Sequence, residues 1–205
     1  MKERLSDERL IRSIFEEDRQ LSALYPEAPS FVPLPWDEYR NQLVIDRVFP
    51  ESQTFACPPD LSWRAVFSAG HTPESVFYFI EPFHLLIADE GVGYFRGKHL
   101  AAPGADADLG ESLQTLQRLK NMELEAICFP NTGLITGELV GRHLEAVIQN
   151  TQDLTSQAEK SIKSGTDPGV VREVIYSSFY ATASHDPLIR HVLDRSFESL
   201  WCQLT

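Results

Sequence analysis

The stretch Phe67-Ser68-Ala69-Gly70-His71-Thr72-Pro73-Glu74-Ser75-Val76, followed by Leu85-Leu86-Ile87-Ala88-Asp89-Glu90-Gly91, sets the frame for this chain. An apolar run enters Gly-His-Thr-Pro; a second run, Val76-Phe77-Tyr78-Phe79-Ile80, leads to a third that ends in an aspartate. The pattern is strand, loop, strand, tight connection, strand, with His71 and Asp89 at the loop ends. Two ligand-type side chains at neighbouring strand ends can face one another and hold a cation.

Beyond this stretch, Val76 to Ile80 and Leu85 to Ala88 pair around Glu81-Pro82-Phe83-His84, which reads as a hairpin turn. Both runs are apolar on both faces, the pattern of strands buried inside a layered domain. Upstream, Trp63 to Phe67 is a strand, and residues 43 to 63 read as short strands broken at Phe49-Pro50 and Cys57-Pro58-Pro59-Asp60. Residues 6 to 24 carry Leu10, Ile11, Ile14, Phe15, Leu21 and Leu24 at helical spacing, which predicts an amphipathic packing helix.

Downstream lies a Gly-rich loop at 91 to 97, and then a helix whose start is marked by Asp108 with Glu111 three residues on. Leu109, Leu113, Leu116 and Leu119 form its apolar stripe. Ala126-Ile127-Cys128-Phe129 is a short buried strand ending at Pro130-Asn131-Thr132-Gly133, and a long helix follows from about 137 to 164. Gly165-Thr166-Asp167-Pro168 is a stop followed by a new helix start. Residues 169 to 183 and 187 to 203 then read as two helices split at His185-Asp186-Pro187. The class is mixed α/β with a C-terminal helical tail.

The chain has 205 residues, 42% of them hydrophobic, which suits one soluble globular domain, or one domain with a small appendage. A net charge of −12 repels phosphate backbones and anionic lipids, so neither nucleic acid nor a membrane surface is expected as a partner. Cys57, Cys128 and Cys202 are odd in number and far apart, which points to reduced thiols rather than a disulfide framework. Lys2, Glu3 and Arg4 are followed by no apolar leader, so a cytoplasmic location is expected.

Among the chemistry-bearing residues His71 stands out, because a histidine between Gly and Thr-Pro at a strand end is held in a rigid loop. His84 falls in a turn, His143 on a helix, and His185 and His191 in the tail, where surface or packing roles are the default. His99, in a loop that can approach the site, is the one further histidine to watch. Ser75 is not in a Gly-x-Ser-x-Gly elbow and reads as a cap, while Cys128 reads as an inert core thiol. No residue qualifies as catalytic on sequence grounds.

The order and spacing of Gly70-His71-Thr72-Pro73 and of the strand ending at Asp89 resemble the metallo-β-lactamase superfamily. The resemblance runs from about residue 47 to residue 150. It implies an αβ/βα sandwich with metals at one edge between two sheets, with His71 and Asp89 at metal-ligand positions, the metal being zinc or another divalent ion, and none where the site is degenerate. This chain corresponds to the second half of that sandwich, so the fold is expected to be incomplete or degenerate. The superfamily's His-x-His-x-Asp-His segment lies upstream of its Gly-His-Thr, yet no histidine precedes His71 here. Its late histidine falls where Asn131 or Thr132 stands, and neither binds zinc well.

The expected domains are 1–164, resembling the metallo-β-lactamase domain, and 165–205, the helical tail. Three explanations fit the missing half: a truncated chain, a degenerate member, or a chain that pairs with a second copy or another polypeptide to complete the sandwich. The expected function is binding or assembly by a divergent member with an impaired or absent dinuclear site. The alternative is a metal-dependent hydrolase of a small ester, thioester or lactone, with His71, Asp89 and a third group such as His99 or a partner's residue around one metal.

Overall fold

Strand alternation sorts the apolar residues of the described sheet onto two faces, and the described helices pack on one of them. The computed structural model describes residues 54–57, 61–96, 100–102, 108–130, 133–180 and 187–205. The helix expected over 6–24 and the strands expected between 43 and 53 lie outside the described residues, as do His99, Asn131, Thr132 and His185.

The sheet is built from β1 (Thr54–Cys57), β2 (Leu61–Phe67), β3 (Val76–Ile80), β4 (Leu85–Ile87), β7 (Ala126–Phe129) and β8 (Gly133–Thr136), adjacent in that order. All neighbours are antiparallel except β4 and β7, which run parallel. A parallel pair needs a long crossover. Here it contains the hairpin β5 (Tyr94–Arg96) and β6 (Leu100–Ala102) and the helix α1 (Leu109–Lys120). The long helix α2 (Glu138–Lys163) follows β8, and α3 (Pro168–Ile175) and α4 (Pro187–Leu204) close the chain.

Directly opposed residues share a face. The register Val66↔Phe77, Phe79↔Leu86, Leu86↔Ile127 and Ile127↔Ile135 therefore aligns one apolar face across the sheet. That face packs on Leu116 and Leu119 of α1 and on Val140, Leu144 and Val147 of α2, forming the main core. A second core joins Leu154 and Ala158 of α2 to Leu109, Val171, Ile175, Tyr176, Phe197 and Leu200. At 26 residues, α2 is about 39 Å long, enough to serve both cores. The tail helices thus rest on the far half of α2.

The opposite face of the sheet carries Phe55 stacked on Trp63 at 4.1 Å between centroids, with Tyr78 edge-on to Trp63 at 5.5 Å. From Tyr78 the row continues through Ile87 and Cys128 to Leu134. Tyr78, Ile87 and Leu134 are 40%, 41% and 58% exposed. The both-faces-apolar pattern of β3 and β4 therefore marks one buried face and one half-open face. Cys128, expected in the core, lies on the open face as a half-buried free thiol.

Three further local features depart from the sequence reading. The Gly-rich loop holds the short turn Glu90–Val92 and strand β5, and β8 begins where only a loop was expected. The first tail helix ends at Ile175 and passes into a π-helical turn, Tyr176–Tyr180. The expected starts and stops do appear: Asp108 accepts from the Glu111 amide at 2.9 Å, Asp167 caps α3, and Gly165 takes a left-handed φ of 69°.

Candidate functional site

Two turns at one edge of the sheet build the site, one after β2 and one after β4. In the first, the Ser68 amide donates to the Ser75 carbonyl at 2.9 Å, closing the loop. Within it the Thr72 amide donates to the Ser75 hydroxyl at 3.1 Å, so Ser75 is a turn-forming side chain, as a cap reading implies. The loop is anchored to α1 through the Asp108 amide, which donates to the Gly70 carbonyl at 3.0 Å. Residue 70 must be glycine at this approach: a Cβ there would fall 2.8 Å from Ser112 Cα and 2.9 Å from its backbone nitrogen. His71 follows immediately, its backbone placed by that contact.

The second turn continues the parallel pairing, with the Ala88 amide donating to the Cys128 carbonyl at 2.9 Å. Asp89 then caps the Glu90–Val92 turn: its Oδ1 accepts from the Gly91 amide at 2.6 Å. A Cβ on Gly91 would stand 2.7 Å from that same oxygen, so a larger residue here would push the Asp89 carboxylate aside. The other oxygen, Oδ2, lies 3.5 Å from the Ser68 hydroxyl.

Burial pushes the Asp89 carboxyl above its ordinary value. The Ser75 hydroxyl, the Gly91 amide and the charge of His71 oppose that push, and neighbouring Glu90 adds to it. His71 Nε2 lies 3.4 Å from Glu90 Oε2, with the two side chains 17% and 28% exposed.

The structure thus brings the two sequence candidates into one cluster and adds Ser68, Ser75 and Glu90. Glu90 was legible only as the neighbour of Asp89; the turn that swings its carboxylate onto His71 was not. Ser68 could have been found from its place one residue past the end of β2.

The other described histidines are elsewhere. His84 sits in the left-handed region at φ 46°, with Nδ1 2.7 Å from the Glu123 carbonyl and its ring edge-on to Phe79. His143 is buried in the main core. His191 lies on α4, but its side chain is outside the described residues.

A zinc site of the type the resemblance implies needs three protein donors and an open position. Among the described residues, no three His, Cys, Asp or Glu side chains converge in that way. One Asp89 oxygen is engaged by a backbone amide and His71 leans on a carboxylate, so the described donors do not fit a closed metal centre. The arrangement is a partly buried acid–imidazole pair lined by hydroxyls.

No family model and no curated protein matches the sequence. Solved structures do resemble the fold. A metallo-β-lactamase family protein from Thermus thermophilus matches with a TM-score of 0.51 and 13% identity, over 90% of this chain and 62% of that one. An archaeal metallo-β-lactamase superfamily protein from Sulfolobus tokodaii matches at 0.49 and 19%, over 71% and 54%. A metallo-β-lactamase from Pontibacter korlensis matches at 0.44 and 19%, over 55% and 53%. By the Thermus thermophilus match the chain has a fold resembling that of the metallo-β-lactamases, and it spans between half and two thirds of the length of these three structures.

Proposed function

We propose that this chain is a divergent protein of metallo-β-lactamase fold whose dinuclear site is impaired or absent, and that it acts in binding or assembly. The reading rests on the state of Asp89. Its Oδ1 is held by the Gly91 amide at 2.6 Å and its Oδ2 faces the Ser68 hydroxyl, so the carboxylate closes its own turn. The sheet face bearing Tyr78, Ile87 and Leu134 supports the assembly half of the reading, because such an apolar row is a docking surface by composition. A second copy of the chain, or another polypeptide completing the sandwich, is the proposed partner. In this reading residues 1–164 form the domain, 165–205 buttress it, and the protein works in the cytoplasm.

Elemental analysis of purified, dialysed protein beside His71→Ala tests the proposal. We expect no retained metal in either protein. About one equivalent of zinc or another divalent metal, lost in the variant, would sink it.

The second reading is a metal-dependent hydrolase of a small ester, thioester or lactone. It is favoured by the approach of Glu90 to His71, which places one more oxygen donor beside the two sequence candidates. A bound metal would supply Lewis-acid activation of water there, with His71 and Asp89 as ligands and His99 or a partner's residue completing the set. A stoichiometric metal together with esterase activity lost in His71→Ala would establish it.

A further inference from the structure

Among the described buried polar side chains outside the site, His143 is the one that titrates. His143, one turn into α2, is 4% exposed, and its Nε2 lies 3.0 Å from the carbonyl oxygen of Val92. A carbonyl only accepts, so Nε2 carries the proton and donates, and Nδ1 is the bare lone pair. That Nδ1 is buried and has no hydrogen-bond partner among the described residues. The ring is boxed in edge-on by Phe129 at 4.9 Å and Phe95 at 5.8 Å, both near perpendicular to it.

The bond to Val92 reaches the site. Val92 ends the turn that Asp89 begins, and the next amide, Gly93, donates back to the Glu90 carbonyl at 2.8 Å. His143 is the side chain on α2 that ties the far end of this turn to the helix. We infer that His143 is an acid-released latch on the turn carrying Asp89 and Glu90: neutral, its Nε2–H holds the Val92 carbonyl; protonated, the ring leaves its pocket and the turn comes free.

Protonation would put a second N–H on Nδ1, a donor with no acceptor, and a full charge between two phenyl rings. Both are costly in an apolar site. Nothing charged among the described residues offsets that cost. On the turn, Asp89 is bound to the Gly91 amide and Glu90 lies against His71. On α2, Arg142 is exposed and Glu145 pairs with Lys120 at 3.0 Å. Neighbouring β5 and β7 present Phe95 and Phe129, and Cys128 lies on the other face of the sheet. Burial accordingly pulls the imidazole below its ordinary value of 6.5, with the Val92 carbonyl opposing.

A base with a depressed folded pKa leaves stability untouched above the unfolded value and removes it as pH falls below that value. The folded-to-unfolded ratio should therefore begin to fall near pH 6.5, by up to about tenfold per pH unit from this residue.

The test uses the full chain with His143→Gln, whose amide nitrogen reaches the Nε2 position and donates to Val92 without titrating, and His143→Phe, which fills the pocket without a donor. Urea unfolding is followed from neutral pH to about pH 5, together with hydrogen exchange at Val92 and Gly93. We expect the wild-type acid limb to be missing in His143→Gln. We also expect exchange at the two amides, corrected for intrinsic rate, to rise roughly tenfold on acidification in the wild type alone. His143→Phe should exchange fast at both pH values. An acid limb retained in a folded His143→Gln protein, or turn protection unchanged by acid in the wild type, would overturn the inference. Should His143→Gln not fold, the wild-type ring is followed directly by nitrogen NMR. A titration at or above the ordinary value, with the turn amides unmoved, refutes the latch; a depressed titration coincident with loss of turn protection supports it.

Discussion

Gly70 and Asp89 make the strongest residue-level case, because each is fixed by contacts that a single atom would change. Gly70→Ala places a methyl group 2.8 Å from the Ser112 backbone, and backbone cannot rotate aside as a side chain can. The loop bearing His71 must then lift from α1, at a cost of about 1–3 kcal/mol in urea unfolding. Asp89→Asn separates a turn-forming carboxyl from a metal ligand. Burial raises the Asp89 pKa, so the folded state resists ionisation and stability is lost as pH rises from the unfolded value of 3.8 through the folded one. Asparagine keeps an acceptor for the Gly91 amide without the charge. Its melting temperature at neutral pH is expected to equal or exceed that of the wild type, with the advantage shrinking towards pH 3.8. A metal-dependent site would instead give a lower melting temperature in Asp89→Asn, and chelation would reproduce the loss. His71 and Asp89 were legible because a Gly-His-Thr-Pro loop and a strand-ending aspartate are local patterns. The Glu90 and Ser68 partners depend on how turns fold back, which no local pattern encodes, whereas His143, three residues after Val140 and four before Val147, falls on the apolar stripe of α2.

At the scale of elements, the helices were the most legible part of the chain because their ends are written in capping chemistry. Asp167 accepts from the Gly169 and Val170 amides at 2.9 and 3.3 Å, and Pro168 sits where no amide is needed. Asp167→Ala leaves both amides without that acceptor and should cost about 0.5–2 kcal/mol, read as a shift in the urea midpoint at unchanged slope. The two cores joined by α2 also show as two apolar segments of its stripe, Val140 to Val147 and Leu154 to Ala158. The elements that escaped sequence reading are β5, β6 and β8, three or four residues each. Strands that short present one or two side chains per face, too few for alternation to register, and Gly93 and Gly133 beside them read as loop. Register, not composition, then decided the faces: Cys128 looked internal by its apolar neighbours and turned outward because it opposes Ile87 and Leu134.

At the scale of the whole molecule, the apolar sheet face and the charge of −12 make opposing demands on any self-association. Burying Tyr78, Ile87 and Leu134 against a second copy is favourable by about 25 cal/mol for each Å² of apolar surface removed from water. Bringing two chains of −12 together is unfavourable, and salt screens that repulsion over a Debye length of about 8–10 Å. A homo-oligomer joined through this face should therefore tighten as salt is raised, whereas a complex with a basic polypeptide should loosen. Light scattering across a salt series distinguishes the two. The variant Ile87→Asp places a charge in the middle of the row, where it opposes Tyr78 on one side and Cys128 on the other. Ile87 is 41% exposed, so the aspartate keeps contact with water in the isolated chain and the fold should survive with an unchanged far-UV spectrum. In an assembly the same carboxylate would be desolvated without a partner, and the complex should fall apart to single chains at every salt concentration. An assembly that persists in folded Ile87→Asp protein places the interface elsewhere than this face.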